Sequence, residues 1–169
     1  MSRLDSFIRR LEAQRACLDR AAALIGDVAR GVPGPVLEFG LGNGRTFDHL
    51  RAILPGRDIF VFEREVAAHP DCIPAADRLI LGDLRETLPA SRAQFAASAA
   101  LAHLDIATGE AAASRALAAA LTPLIAPLLR AGAIVVSEPP LAVPGWRALA
   151  LPDGVKPGRY HLYRVEAAG

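Results

Sequence analysis

Lysine is almost absent from this chain. Lys156 is the only one among 169 residues, so nearly all of the 19 basic side chains are arginines. Schiff-base chemistry therefore has a single candidate, and it falls in a predicted turn. Cysteine is scarce as well: Cys17 and Cys72 lie far apart and form no CxxC pair. Two such thiols build neither a zinc site nor a secreted disulfide framework, and they read as reduced thiols in a cytoplasm. Aromatic residues make up 5%, too few for a base-stacking platform. Neither sign of charge dominates. A net charge of +1 excludes a strongly basic nucleic-acid-binding module. Arg3, Asp5, Arg9 and Arg10 interrupt any apolar signal segment. The longest apolar run, 116–129, contains Thr122 and two prolines and falls short of the ~20 residues of a membrane span. The expectation is a soluble cytoplasmic protein with no membrane partner.

What is present suits an ordinary globular protein: 52% hydrophobic and 22% charged residues. The length fits one domain, divided here into an N-terminal helical cover (1–32) and a core (33–169). Leu4, Phe7, Ile8, Leu11, Leu18, Ala22 and Ile25 keep near-helical spacing with arginines opposite. Ser2 or Asp5 supplies the cap, and the glycine–proline run 31–35 ends the helix. Strands then alternate with helices. Apolar runs at 36–39, 58–63, 78–81, 99–104 and 133–136 read as strands. A helix spans 45–54, and an alanine-rich helix spans 110–130, disturbed by Pro123 and Pro127. Helical crossovers make these strands parallel. Runs 146–151 and 159–165 are joined too closely for a crossover, so they pair as an antiparallel hairpin. The fold class expected is α/β, a doubly wound sheet with a terminal hairpin.

One stretch carries functional information. Residues 36–45 read V-L-E-F-G-L-G-N-G-R, a strand, an acid, three alternate glycines and then a helix. Glycines there let a backbone turn and approach a ligand where a Cβ would collide. The following helix aims unpaired N–H groups at the same place. A dinucleotide fingerprint needs G-x-G-x-x-G, but here the third glycine comes one residue early. The pattern instead resembles the E/D-x-G-x-G-x-G signature of class I S-adenosylmethionine-dependent methyltransferases, matched at Glu38, Gly40, Gly42 and Gly44. Glu63 follows 19 residues after Gly44, and Asp83 ends the third strand after Gly82. The passage 128–136 and the terminal hairpin are similar to the same family, so the resemblance spans about 36–165. It implies a Rossmann-like seven-stranded sheet and S-adenosyl-L-methionine as cofactor. It also implies roles: Glu38 for the methionine amino group, and the glycines for close approach of methionine and ribose. Glu63 would take the ribose hydroxyls, and Asp83 with the Leu84 N–H the adenine.

The acceptor side is less explicit. His103 and Asp105 alternate onto one face of the fourth strand's end, where either is a candidate base or acceptor-orienting group. The competing reading makes His103 structural and Asp105 a helix cap. The same segment looks like the strand end of metal-dependent small-molecule O-methyltransferases. Asp105 and Glu138 would then be oxygen ligands, but Ser137-Glu138 replaces that family's Asp-Asn pair, and no metal is expected. Glu138-Pro139-Pro140 resembles the D/N-P-P-Y motif of DNA amino-methyltransferases, yet it follows the wrong strand and lacks the aromatic. No DNA partner is expected. The leading expectation is methyl transfer to a small molecule by a homodimer or larger homo-oligomer. The alternatives are a non-catalytic cofactor-binding scaffold and a nicotinamide-dependent oxidoreductase.

Overall fold

The computed structural model describes residues 2–26, 31–106 and 109–167. Its elements are α1 (Arg3–Ile25), β1 (Val36–Phe39), α2 (Arg45–Ile53), β2 (Ile59–Glu63), β3 (Leu79–Leu81), α3 (Leu84–Ala90), α4 (Arg92–Phe95), β4 (Ala99–Leu104), α5 (Ala111–Ile125), β5 (Leu129–Ser137), β6 (Trp146–Ala148) and β7 (His161–Val165). The strands form one seven-stranded sheet in the order β3-β2-β1-β4-β5-β7-β6. β1 to β5 pair in parallel, and β7 runs antiparallel to β5 and β6. This is the doubly wound sheet with a terminal hairpin that the spacing of apolar runs predicts.

Alternation along each strand divides the core in two. Val36, Val61, Leu101, Val136 and Leu162 face α1 and α2. Leu37, Phe39, Phe62, Leu104 and Val135 face Leu88 of α3, Phe95 of α4, and Leu121 and Ile125 of α5. The α5 helix stops five residues earlier than its composition suggests. Pro127 lies in a 3-10 turn, and β5 already starts at Leu129. That early start is accommodated by a bulge: Ala99 pairs with Leu129 but Leu101 pairs with Ile134, with Gly132 at φ 85 inside the extra loop. The stretch Ala111–Leu128 is, by length and composition, apolar enough to cross a membrane, longer than the run read from the sequence. Here Ala118, Leu121 and Ile125 recur at helical spacing and face the second core, as a sheet-covering helix requires.

The α1 helix departs from its expected stripe. Ser2 and Asp5 act together in a capping box. The helix ends at Gly26, before the 31–35 run assigned as its stop. Leu4, Phe7 and Ile8 are 66%, 43% and 44% exposed, while the buried face is Ala13, Gln14, Cys17, Leu18, Ala21 and Ile25. Length explains this. A 23-residue helix is about 35 Å long, whereas central strands of four to six residues span about 13–20 Å. The C-terminal half of α1 covers the sheet; the first turns overhang its edge, where Arg10 meets Glu138 at 3.8 Å.

Candidate active site

The site follows from the register of the sheet. Val61, Glu38, His103, Val136 and Leu162 are neighbours across β2, β1, β4, β5 and β7. Two residues further along each strand, side chains return to the same face. This brings Glu63, Gly40, Asp105, Glu138 and Tyr160 together along the carboxyl edge, where doubly wound sheets bind ligands. A cleft of about 520 Å³ opens there, lined by Gly40, Gly42, Glu63, Asp83, Leu84 and Asp105 among others. That volume suits a small organic ligand.

The three glycines of the loop have different environments. A Cβ on Gly40 would lie 2.3 Å from the Asp105 carbonyl, and one on Gly44 would lie 2.4 Å from the Cys72 Cβ. Both are therefore required by packing. A Cβ on Gly42 would meet nothing within 4 Å, so Gly42 keeps space free at the cleft. Glu63 supports this loop: its Oε2 accepts from the Leu41 N–H at 2.7 Å and the Gly42 N–H at 3.1 Å. Its Oε1 accepts from the Arg64 and Glu65 amides. Partial burial pushes the Glu63 carboxyl up, but the four backbone N–H donors outweigh it and hold it below the ordinary value. Asp83 caps α3, its Oδ1 accepting from the Arg85 N–H at 2.8 Å. The first-turn N–H of Leu84 stands outside that helix's own ladder.

Glu38 and His103 lie behind the cleft rather than in it. Both are 0% exposed, and His103 Nδ1 is 3.6 Å from Glu38 Oε1. The Thr46 hydroxyl donates to the same carboxylate oxygen. Burial pulls the imidazole down, yet Glu38, with help from the charges of Asp105 and Glu138, raises it above the ordinary value near 6.5. Among the described residues, Glu38 Oε2, both His103 ring nitrogens, Gln14 Nε2 and the Tyr160 hydroxyl are buried without a hydrogen-bond partner. Burial raises the Tyr160 phenol, and Asp105 and Glu138 add to the effect. The sheet edge beneath α1 thus holds an under-satisfied polar cluster, a common mark of a functional site.

Structure therefore does not bring the predicted residues to one place. Gly40, Gly42, Glu63, Asp83, Leu84 and Asp105 share the cleft. Glu38 and His103 form the layer beneath it, and Gly44 packs against Cys72 and Ala68 at the start of α2. Glu138 lies on the adjoining wall and has Arg10 as its ionic neighbour. Among the described residues no three His, Cys, Asp or Glu side chains are grouped to hold a metal ion. Sequence reading missed Thr46 and Tyr160 as parts of the site. Thr46 had no signal, since a hydroxyl at the second position of a helix is common. Tyr160 has its ring in the core, and only the register places it beside Glu138.

Comparison with known proteins bears on this geometry. A family model of S-adenosyl-L-methionine methyltransferases matches residues 1–165. The crystal structure of an S-adenosyl-L-methionine methyl transferase from Silicibacter pomeroyi is 47% identical, covers 98% of this chain and 99% of its own, and superposes with a TM-score of 0.91. The antibiotic-resistance methyltransferase Kmr (12% identity, 91% and 93% coverage, TM-score 0.55) and the CurJ carbon methyltransferase (11%, 83% and 51%, 0.54) share the fold alone. No curated protein matches the chain. The glycine loop, the carboxyl-edge cleft and the match along nearly the whole length agree: the chain belongs to the class I S-adenosyl-L-methionine-dependent methyltransferases.

Proposed function

We propose that this methyltransferase acts on a small-molecule acceptor as a cytoplasmic enzyme. One observation carries the choice of acceptor size. The cleft at the carboxyl edge is a concave site of about 520 Å³, and the cavity beside it, bordered by Glu138, is about 250 Å³. Volumes of that order suit a small organic ligand. The near-neutral charge supports the same reading against nucleic acid.

The residues present fit the cofactor. Glu38 Oε2 is a buried acceptor without a partner, suited to an ammonium group or to a water that bridges to one. Glu63 would take the ribose hydroxyls. Asp83 and the Leu84 N–H would face the adenine, and Gly42 would admit the chain between them. When bound, S-adenosyl-L-methionine supplies an electrophilic methyl carbon that a nucleophile takes by in-line displacement, the carbon–sulfur electrons leaving with sulfur. The protein's part is alignment and proton handling. Asp105, at the cleft's inner end, orients the acceptor and receives its proton. His103 does not reach the cleft; it is a positioning residue that fixes Glu38 from behind.

Two measurements test this. Calorimetry should show micromolar binding of S-adenosylhomocysteine to the wild type and at least tenfold weaker binding to Glu63→Ala; unchanged affinity in the variant would remove the ribose assignment. Labelled methyl donor incubated with enzyme and cell extract should place label in the low-mass fraction, and label confined to macromolecules would reject a small acceptor. The same reading makes the chain a homodimer or larger, with Leu4, Phe7 and Ile8 as the available apolar surface. A monomeric mass by light scattering at micromolar concentration would rule that out.

A further inference from the structure

Beside the cofactor cleft lies a second cavity of about 250 Å³, bordered by Ser114, Arg115, Glu138, Gly158 and Arg159 among others. The α5 helix borders both. Leu117 and Leu121 line the cleft, and Ser114 and Arg115, one turn earlier, line the second cavity. Glu138 belongs to the wall of this cavity and to the row of residues that contains Asp105. A molecule seated here would therefore abut the reacting end of the cleft. The cavity's charges are unusual for this protein. Most acids at the edge of the sheet already have partners, and Glu138 has Arg10. Among the described residues the guanidinium of Arg159 reaches only the Ser6 hydroxyl, at 3.5 Å. Among the described residues no carboxylate lies within ion-pair distance of Arg115 or Arg159. Two arginines without a carboxylate partner among the described residues border one small concave site at the start of a 15-residue helix, and the planar donor fork of a guanidinium suits a carboxylate or phosphate. A neutral or cationic acceptor would leave both charges facing it unpaired.

We infer that the methyl acceptor is a small anionic molecule whose carboxylate or phosphate is held by Arg115 and Arg159, with its nucleophile turned towards Asp105. This rests on the small-molecule reading above and adds the chemical class. No new bond-making step is involved; the arginines bind and orient, and the methyl transfer is that already described.

Amide resonances of the isotopically labelled protein, saturated with S-adenosylhomocysteine, can be followed during titration with sodium phosphate and, separately, sodium acetate, at ionic strength held constant with sodium chloride. Saturable shifts at residues 111–115 and at Arg159 are expected. Both should weaken at least tenfold in the Arg115→Gln/Arg159→Gln double variant. The anion that binds more tightly assigns the group as phosphate or carboxylate. Shifts no larger than chloride produces, or equal binding by the double variant, would overturn the proposal. Retained S-adenosylhomocysteine shifts at Gly42 and Leu84 establish that the variant is folded. The labelled-extract experiment fails independently: label in macromolecules would reject the small acceptor while leaving the anion titration to decide the arginine site.

Discussion

Gly40 and Gly42 look equivalent in the sequence, and the fold gives them different work. Gly40 sits at φ 94 with the Asp105 carbonyl against its open side. Gly40→Ala should cost at least about 2 kcal/mol in stability, from backbone strain and displacement of the end of β4. Gly42 sits at φ 51 with open space around it, a conformation an L-residue reaches for about 1 kcal/mol. Gly42→Ala should melt only slightly below wild type yet bind S-adenosylhomocysteine at least tenfold more weakly. Urea denaturation and calorimetry on the two variants separate packing from ligand approach, and the same profile for both would contradict the assignment. His103 makes a pH-dependent prediction. Its folded-state value is raised above the ordinary 6.5, so its contribution to stability is complete below pH 6.5 and is lost as pH rises through the raised value. The urea midpoint of wild type should fall over that window more steeply than that of His103→Gln. Parallel slopes would mean that the Glu38–His103 pair is not ionised.

At the level of elements, α1 behaves as two halves. Residues from Ala13 onward are locked into the core, whereas the first turns are tied to the body by Arg10–Glu138 and by the long Arg159 contact to Ser6. An ion pair at that exposure contributes under about 1 kcal/mol. Hydrogen exchange should therefore be fast in residues 4–10 and slow in 14–25, and Arg10→Ala should accelerate the first group alone. Cys17 offers a chemical check: burial pushes its thiol up to about 11, so it should resist thiol reagents in the native protein while the part-exposed Cys72 reacts. Rapid labelling of Cys17 would show that the core half also opens. The apolar period of α1 was legible in the sequence. Which part of it finds a partner was not, because that depends on where the sheet ends beneath the helix.

For the whole molecule, removal of residues 2–10 should leave a folded protein that still binds S-adenosylhomocysteine, since that segment supplies little to either core. Removal of residues 2–26 should abolish cooperative unfolding, because Cys17, Leu18, Ala21 and Ile25 fill the face of the sheet that carries Val36, Leu101 and Val136. Circular dichroism melts of the two truncations decide it, and a cooperative melt of the shorter chain would make α1 a removable cover. The α/β alternation, the parallel core, the hairpin, the glycine loop and the acids at the strand ends were all readable in one dimension. Each depends on neighbours within a few residues: period-two burial, helical crossovers, and glycines before a helix. The joining of Asp105, Glu138 and Tyr160 at one edge was set by strand order and register instead, which pair residues far apart in sequence. The same holds for the sealing of His103 against Glu38 and for the cavity that Arg115 and Arg159 both border. Local sequence determined what each strand end carries, and long-range packing decided which of those ends meet.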